Sequence, residues 1–412
     1  MPNIMSQSPK VKIIAPVTSA TVQLQEPEAA QPTAPSLTAF LELAFRPLYL
    51  GAVAWALISV AIWIYAPYLL TSTLSSIAWH AHEMLWGFIA TIALAFLMTA
   101  GASWTGINPM KGGLLALACV LWLLARLGFL LGGDTVFWLA MAAELGFFLL
   151  GAASMMRSVI RSKNLRNAAV PVMLAGLGVA DLLYLLAARS GDFALLMQRF
   201  NAGLMVMALL ALLIGRRVIP FFAMNAIKGL TLPRHTRSGQ VQLGLGALAI
   251  VFLLLGWQLP LAAALASTGL LSIWQIFSWK PLASRVNPLL WILYIGYASL
   301  GIGLLLAAAQ AAGVAMQNAL PVHVNAMAGF SVLIIGMVTR TALGHLGRPL
   351  ATDSSMVASY ALVLLAVVLR LVAIAPLAIS ALLLQLSAAA WIMAMALYLW
   401  RFAPLMIRPR FK

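Results

Sequence analysis

Residues 112–131 read GGLLALACVLWLLARLGFLL, an apolar run interrupted by one charge, Arg126. At ~1.5 Å per residue such a run crosses about 30 Å of hydrocarbon as a helix. Lipid offers the backbone no hydrogen bonds, so the segment must close its own, and the α-helix does so within one span. Reading outward from it, runs of the same kind recur at 47–66, 79–101, 135–157, 168–188, 195–215, 241–257, 259–279, 289–312, 321–343, 354–376 and 378–400. The expected fold is therefore all-α, a polytopic transmembrane helical bundle of about twelve spans. The tight pair around Gly256 to Pro260 is the one place where a re-entrant or broken hairpin competes, which would reduce the count to ten or eleven.

Composition agrees. The 412 residues are 63% hydrophobic and 8% charged, with a mean hydropathy of +1.01, more apolar surface than a soluble domain of this size can hide from water. Residues 1–36 are rich in Pro, Gln, Ala and Thr and lack the continuous apolar core of a signal peptide, so they read as a disordered cytoplasmic lead to a transmembrane domain at 37–412. A lone cysteine, Cys119, lies in an apolar run; it excludes a disulfide framework and a CxxC zinc site and reads as a packing residue.

The formal net charge of +16 comes from 25 cations set against nine acids, and its placement decides its meaning. With the N-terminus inside, 21 of the 25 cations fall in cytoplasmic segments, Arg189 and Arg199 fall on the opposite face, and Arg126 and Arg370 lie within spans. The positive-inside rule then puts both termini in the cytoplasm, and short basic loops meeting anionic headgroups explain the basic pI without nucleic acid.

Ionisable groups inside hydrocarbon cost a few kcal/mol each and mark a pathway, a cofactor or a structural pair. His80, His82 and Glu83 open the second span from the outer side, and His323 opens the tenth. Arg126, Asp181 and Arg370 sit ~20 Å or more along spans that run outward, so they reach the same half. Arg199, Asn201 and Asn325 complete one outer polar layer. An interhelical pairing such as Arg126 with Asp181 is the plain structural explanation of this layer. Three histidines in it exceed what pairing needs, and neutral imidazole is a common ligand of haem iron and copper.

His80 and His82 diverge by ~200° on a regular helix, so they imply two sites or an unwound start rather than one shared ion. Glu83, three residues after His80, is expected to hold that imidazole's second nitrogen. Met84 and Met327 follow histidines by four residues and offer thioethers, although most of the 20 methionines serve packing. Arg126, Arg199 and Arg370 suit haem propionates through two-pronged hydrogen bonding. At the inner rim, Arg46, Arg216, Arg217, Arg340 and Arg348 fit headgroup anchoring. His345 stands among helix-breaking Gly344, Gly347 and Pro349 as a further ligand candidate. His235, in the basic loop segment PRHTR, reads as solvated.

The segments FRPLYL (45–50), WHAHEMLWGF (79–88), WTG (104–106), LWLLAR (121–126), GRRVIPFF (215–222) and TRTALGHLGRP (339–349) together resemble NnrS proteins. The resemblance implies a bacterial inner-membrane protein that carries haem and copper and serves the nitric oxide, or nitrosative-stress, response. It carries the family's motif positions onto His80, His82, Glu83, Arg126, Arg217, Arg340, His345 and Arg348, with His323 opening the late helix. It makes nitric oxide the expected small-molecule ligand and leaves the reaction itself open.

Rival classes are weighed on the same residues. A haem–copper terminal oxidase needs six histidines and an adjacent pair within a span; this chain has five, one of them in a loop. A cofactor-free, proton-coupled transporter or exporter would use the polar layer as a relay, but it predicts a half-to-half repeat. The faint likeness of HAHEMLWGF to HVNAMAGF needs a gap and joins the second span to the tenth. A factor delivering haem or copper elsewhere would use the same ligands.

Overall fold

The computed structural model describes residues 34–410, so residues 1–33 of the expected N-terminal lead, with Lys10 and Lys12, lie outside the described residues, as does Lys412. Among the described residues there is no strand, and twelve helices are long and apolar enough to cross a membrane. They are α1 (Phe45–Tyr65), α2 (Ser76–Thr105), α3 (Gly113–Leu131), α4 (Asp134–Arg161), α5 (Leu165–Ser190) and α6 (Phe193–Ala226) in the first half. In the second they are α7 (Thr236–Leu255), α8 (Gln258–Ser278), α9 (Pro288–Ala311), α10 (Ala319–His345), α11 (Ser354–Val372) and α12 (Ser380–Met406).

All twelve expected spans are present. Gly256 adopts φ +73°, a left-handed turn open to glycine, and separates α7 from α8 as two full helices rather than a re-entrant loop. α6 runs past the expected end at 215, through Pro220 to Ala226. Proline costs one i→i−4 bond there, which a long helix near its end absorbs.

Burial sorts the helices. α2 and α6 are the most enclosed, at 78% and 72% over their apolar windows, with α10 next, whereas α7 is only 28% buried. The outer helices carry exposed Leu123, Leu127, Leu139, Leu270 and Phe277, the band a lipid solvent accepts. The inner helices bring polar groups together instead.

Both α2 and α10 widen into a π-helical stretch, Glu83–Ala90 and Val324–Ser331, each beginning directly after a histidine, and the two stretches touch. At the end of each, a hydroxyl bonds the carbonyl five residues back: Thr91, directly after the first stretch, to Trp86 at 2.9 Å and Ser331 to Ala326 at 2.8 Å. Such turns are rare and concentrate at functional sites. The likeness of HAHEMLWGF to HVNAMAGF thus has a structural counterpart in two matching distortions.

Candidate functional site

The side chains of His80 and His82 diverge into two different environments, as their spacing requires. His80 faces a cavity of about 290 Å³ enclosed by α1, α2, α6, α10, α11 and α12, and His323 faces the same cavity from α10. Met84, Met327 and Arg370 complete its chemistry, and among the described residues its lining holds no Asp or Glu. The His80 ring lies flat on Trp63, with centroids 3.8 Å apart and planes 9° from parallel. Trp63 is itself held by Ser76, to whose hydroxyl its indole N–H donates at 3.0 Å. His80 Nδ1 is buried and has no hydrogen-bond partner among the described residues.

His323 Nδ1 lies 2.7 Å from the Ala319 carbonyl oxygen. A carbonyl only accepts, so the proton belongs on Nδ1 and Nε2 carries the lone pair. A larger cavity, about 560 Å³, adjoins the chamber along Met197, Leu204, Asn318 and Val322, and is lined by the polar Gln198, Asn201 and Asn325.

His82 points the other way, into a dry cluster. Its Nδ1 lies 2.9 Å from Glu83 Oε1, and its Nε2 lies 3.0 Å from Asp181 Oδ1 and 3.5 Å from Glu144 Oε2. Arg126 forks between Glu83 and Glu144, and the Trp55 indole N–H also donates to Glu83. All five ionisable groups are essentially without solvent exposure. The cluster corrects two expectations. Glu83 holds His82, not His80, because the helix widens at Glu83 and brings consecutive side chains together. Arg126 pairs with Glu83 and Glu144 rather than Asp181.

Over residues 39–410 the sequence matches the family model described as NnrS protein. The chain belongs to the NnrS family. No curated protein matches it. Membership makes it, at the level of the family, a multi-pass membrane protein of the nitric oxide response, from a family known for metal and haem binding in general.

The other NnrS-motif residues lie apart from the chamber. His345 closes α10 at the end opposite His323, ~33 Å away along the helix, and packs 5.6 Å from the Phe45 ring. Arg199 is half-buried on α6 and lines neither cavity, although Met197, Phe200 and Asn201 around it do. At the basic end Arg340 sits 3.9 Å over the Phe222 ring, and Arg217 donates to Asn167 Oδ1 at 3.0 Å. Arg46 is buried and donates to the carbonyls of Met406 and Arg408, so its role is to cap α12 rather than to reach headgroups. His235 is not simply solvated: it bonds Ser278 and packs 4.5 Å from Trp274, and burial lowers its pKa.

Glu144 and Trp55 escaped sequence reasoning. An acid in the middle of FWLAMAAELGFFLL (137–150) was itself the signal for Glu144, since an unpaired carboxylate there would be costly. Nothing in the sequence singled out Trp55 among 13 tryptophans.

Proposed function

We propose that the chamber holds the redox-active cofactor of this NnrS-family protein, haem or copper, between His80 and His323, and that the protein binds or removes nitric oxide or limits its damage to cellular iron. One observation carries the reading: two histidines from separate helices face one apolar cavity, one with its lone pair tautomer fixed by a backbone carbonyl and the other with an orphaned ring nitrogen.

The residues fit such a group. Two imidazoles and two thioethers form a donor set suited to haem iron or copper(I). Ala319 and Trp63 do the orienting, the first by holding the His323 tautomer and the second by fixing the plane of the His80 ring. Arg370, facing a lining without carboxylates, is available to a propionate or another anion. Mostly apolar walls suit a small apolar diatomic molecule. When bound there, haem iron supplies a coordination position for such a molecule, and copper supplies one-electron chemistry.

In the same reading the basic end faces the cytoplasm, the chamber lies in the outer half, and the protein sits in a bacterial inner membrane. Protein purified in detergent is expected to show a Soret band that shifts with nitric oxide under reduction, with iron or copper found by metal analysis. His80→Ala and His323→Ala should lose that signal, and His345→Ala should keep it. Well-folded, haem-supplied protein with neither haem nor copper would overturn the reading and leave the polar 560 Å³ cavity as a solute site, to be tested by transport in vesicles.

A further inference from the structure

The His82 cluster has a use that the chamber does not need. We propose that His82, Glu144 and Asp181 form a second metal site, for a borderline-to-hard divalent ion of the Zn²⁺, Fe²⁺ or Mn²⁺ class, built from one residue each of α2, α4 and α5 and separate from the chamber.

Geometry is the first support. One donor atom from each of the three residues lies within 4.8 Å of the others, and Nε2 stands 3.0 Å and 3.5 Å from the two carboxylate oxygens. Nitrogen and oxygen ligands at about 2.0–2.2 Å from a tetrahedral ion are separated from one another by about 3.4 Å. Glu83 then takes the position of the carboxylate that receives the outer N–H of a metal-bound histidine, on Nδ1.

Hydrogen bonding is the second. Both ring nitrogens of His82 face carboxylate oxygens, but a neutral imidazole has one N–H. Two arrangements satisfy both contacts: an imidazolium that donates to Glu83 and Asp181, or a neutral ring with its proton on Nδ1 toward Glu83 and a metal cation held between Nε2 and the carboxylates. Glu144 Oε1 and Asp181 Oδ2 are also buried with no hydrogen-bond partner among the described residues, on side chains only 1% exposed. Orphaned carboxylate oxygens in a dry interior are costly, and coordination would satisfy them.

Charge is the third. Ionised together, Glu83, Glu144 and Asp181 would set three negative charges against the single fixed positive charge of Arg126. A divalent ion ligated by neutral His82 brings the sum to zero. The donor set contains nitrogen and oxygen and no sulfur, which favours borderline and hard ions over copper(I), whereas the chamber has thioethers.

The test uses full-length protein purified without chelator from cells grown with added Zn²⁺, with zinc as the probe. One Zn²⁺ per chain is expected, with X-ray absorption showing only nitrogen and oxygen neighbours at about 2.0–2.2 Å. His82→Ala and Asp181→Asn should lose the ion, and Glu83→Gln should weaken it about 10–100-fold. His80→Ala and His323→Ala should lose the chamber's cofactor yet retain zinc, so the two readings fail independently. Should the cluster variants not fold, the wild-type spectrum decides alone. Absence of zinc, sulfur neighbours, or zinc retained in folded His82→Ala would overturn the site and leave the cluster a proton-neutralised ion network.

Discussion

At Gly87 there is no room for one methyl group: a Cβ would stand 2.3 Å from Arg126 Nη1 and 2.8 Å from Glu83 Oε2. The glycine is therefore part of the ion cluster although it carries no functional group. Gly87→Ala must displace Arg126, and overpacking costs about 1–3 kcal/mol, rising toward the roughly 3–5 kcal/mol of a broken buried pair if the fork is lost. A clear fall in the thermal midpoint in detergent is expected. Gly244→Ala, on α7 where nothing lies within 4 Å, is the control and should leave the midpoint unchanged or slightly raised. Equal effects in the two variants would mean that the cluster contributes nothing. At this scale the sequence was only half legible. That His80 and His82 part company follows from helical spacing, but the partner of Glu83 depends on a local widening that 3.6-residue periodicity does not contain.

Helix ends at the basic rim show the same economy. Arg46 reaches the carbonyl of Met406, one of the acceptors that a helix C-terminus leaves unpaired, and that of Arg408 just beyond it, and so ties the start of α1 to the end of α12. Arg46→Met removes those donors and should cost about 1–3 kcal/mol, seen as faster hydrogen exchange confined to the end of α12; uniform exchange along α12 would refute the capping role. Asp353 caps α11 by accepting from the Met356 N–H at 3.1 Å and pairs with Arg401 at 2.6 Å. Burial pushes its carboxyl up, but the Ser355 and Arg401 hydrogen bonds outweigh it and hold the pKa at about 2. A depressed carboxyl stabilises the fold above its unfolded pKa of about 3.9 and loses that contribution as pH falls through the folded value. The difference in thermal midpoint between wild type and Asp353→Asn should therefore be constant above about pH 5 and shrink toward pH 2. A difference independent of pH would show that the carboxylate charge is not what matters. The π-helical stretches were legible only as a likeness between two segments, because 3.6-residue periodicity carries no sign of i→i−5 backbone bonding and the two stretches meet only once α2 and α10 are packed together.

Across the whole molecule the twelve spans were readable because crossing a membrane is a property of each segment alone, whereas the two sites are properties of how α2, α4, α5 and α10 are rotated against one another. Hydropathy fixes length and says little about which face of a helix meets which neighbour; Glu144 and His323 became informative only once their helices were placed. Charge asymmetry, by contrast, is again a segment property, and it makes a prediction about the molecule as one body. The turn from the end of α4 into the start of α5 carries Arg161, Lys163 and Arg166, whereas the connection between α9 and α10 carries no cation. If basic loops are retained on the cytoplasmic side, Ala315→Cys and Arg166→Cys, each exposed and each made in a Cys119→Ala background, lie on opposite faces. A membrane-impermeant maleimide should label Ala315→Cys in intact cells and Arg166→Cys only after permeabilisation. The reverse pattern would place the chamber in the cytoplasmic half. Nitric oxide, being apolar, would reach it from either side, but the electron donor and the route of cofactor loading would then have to be sought in the cytoplasm.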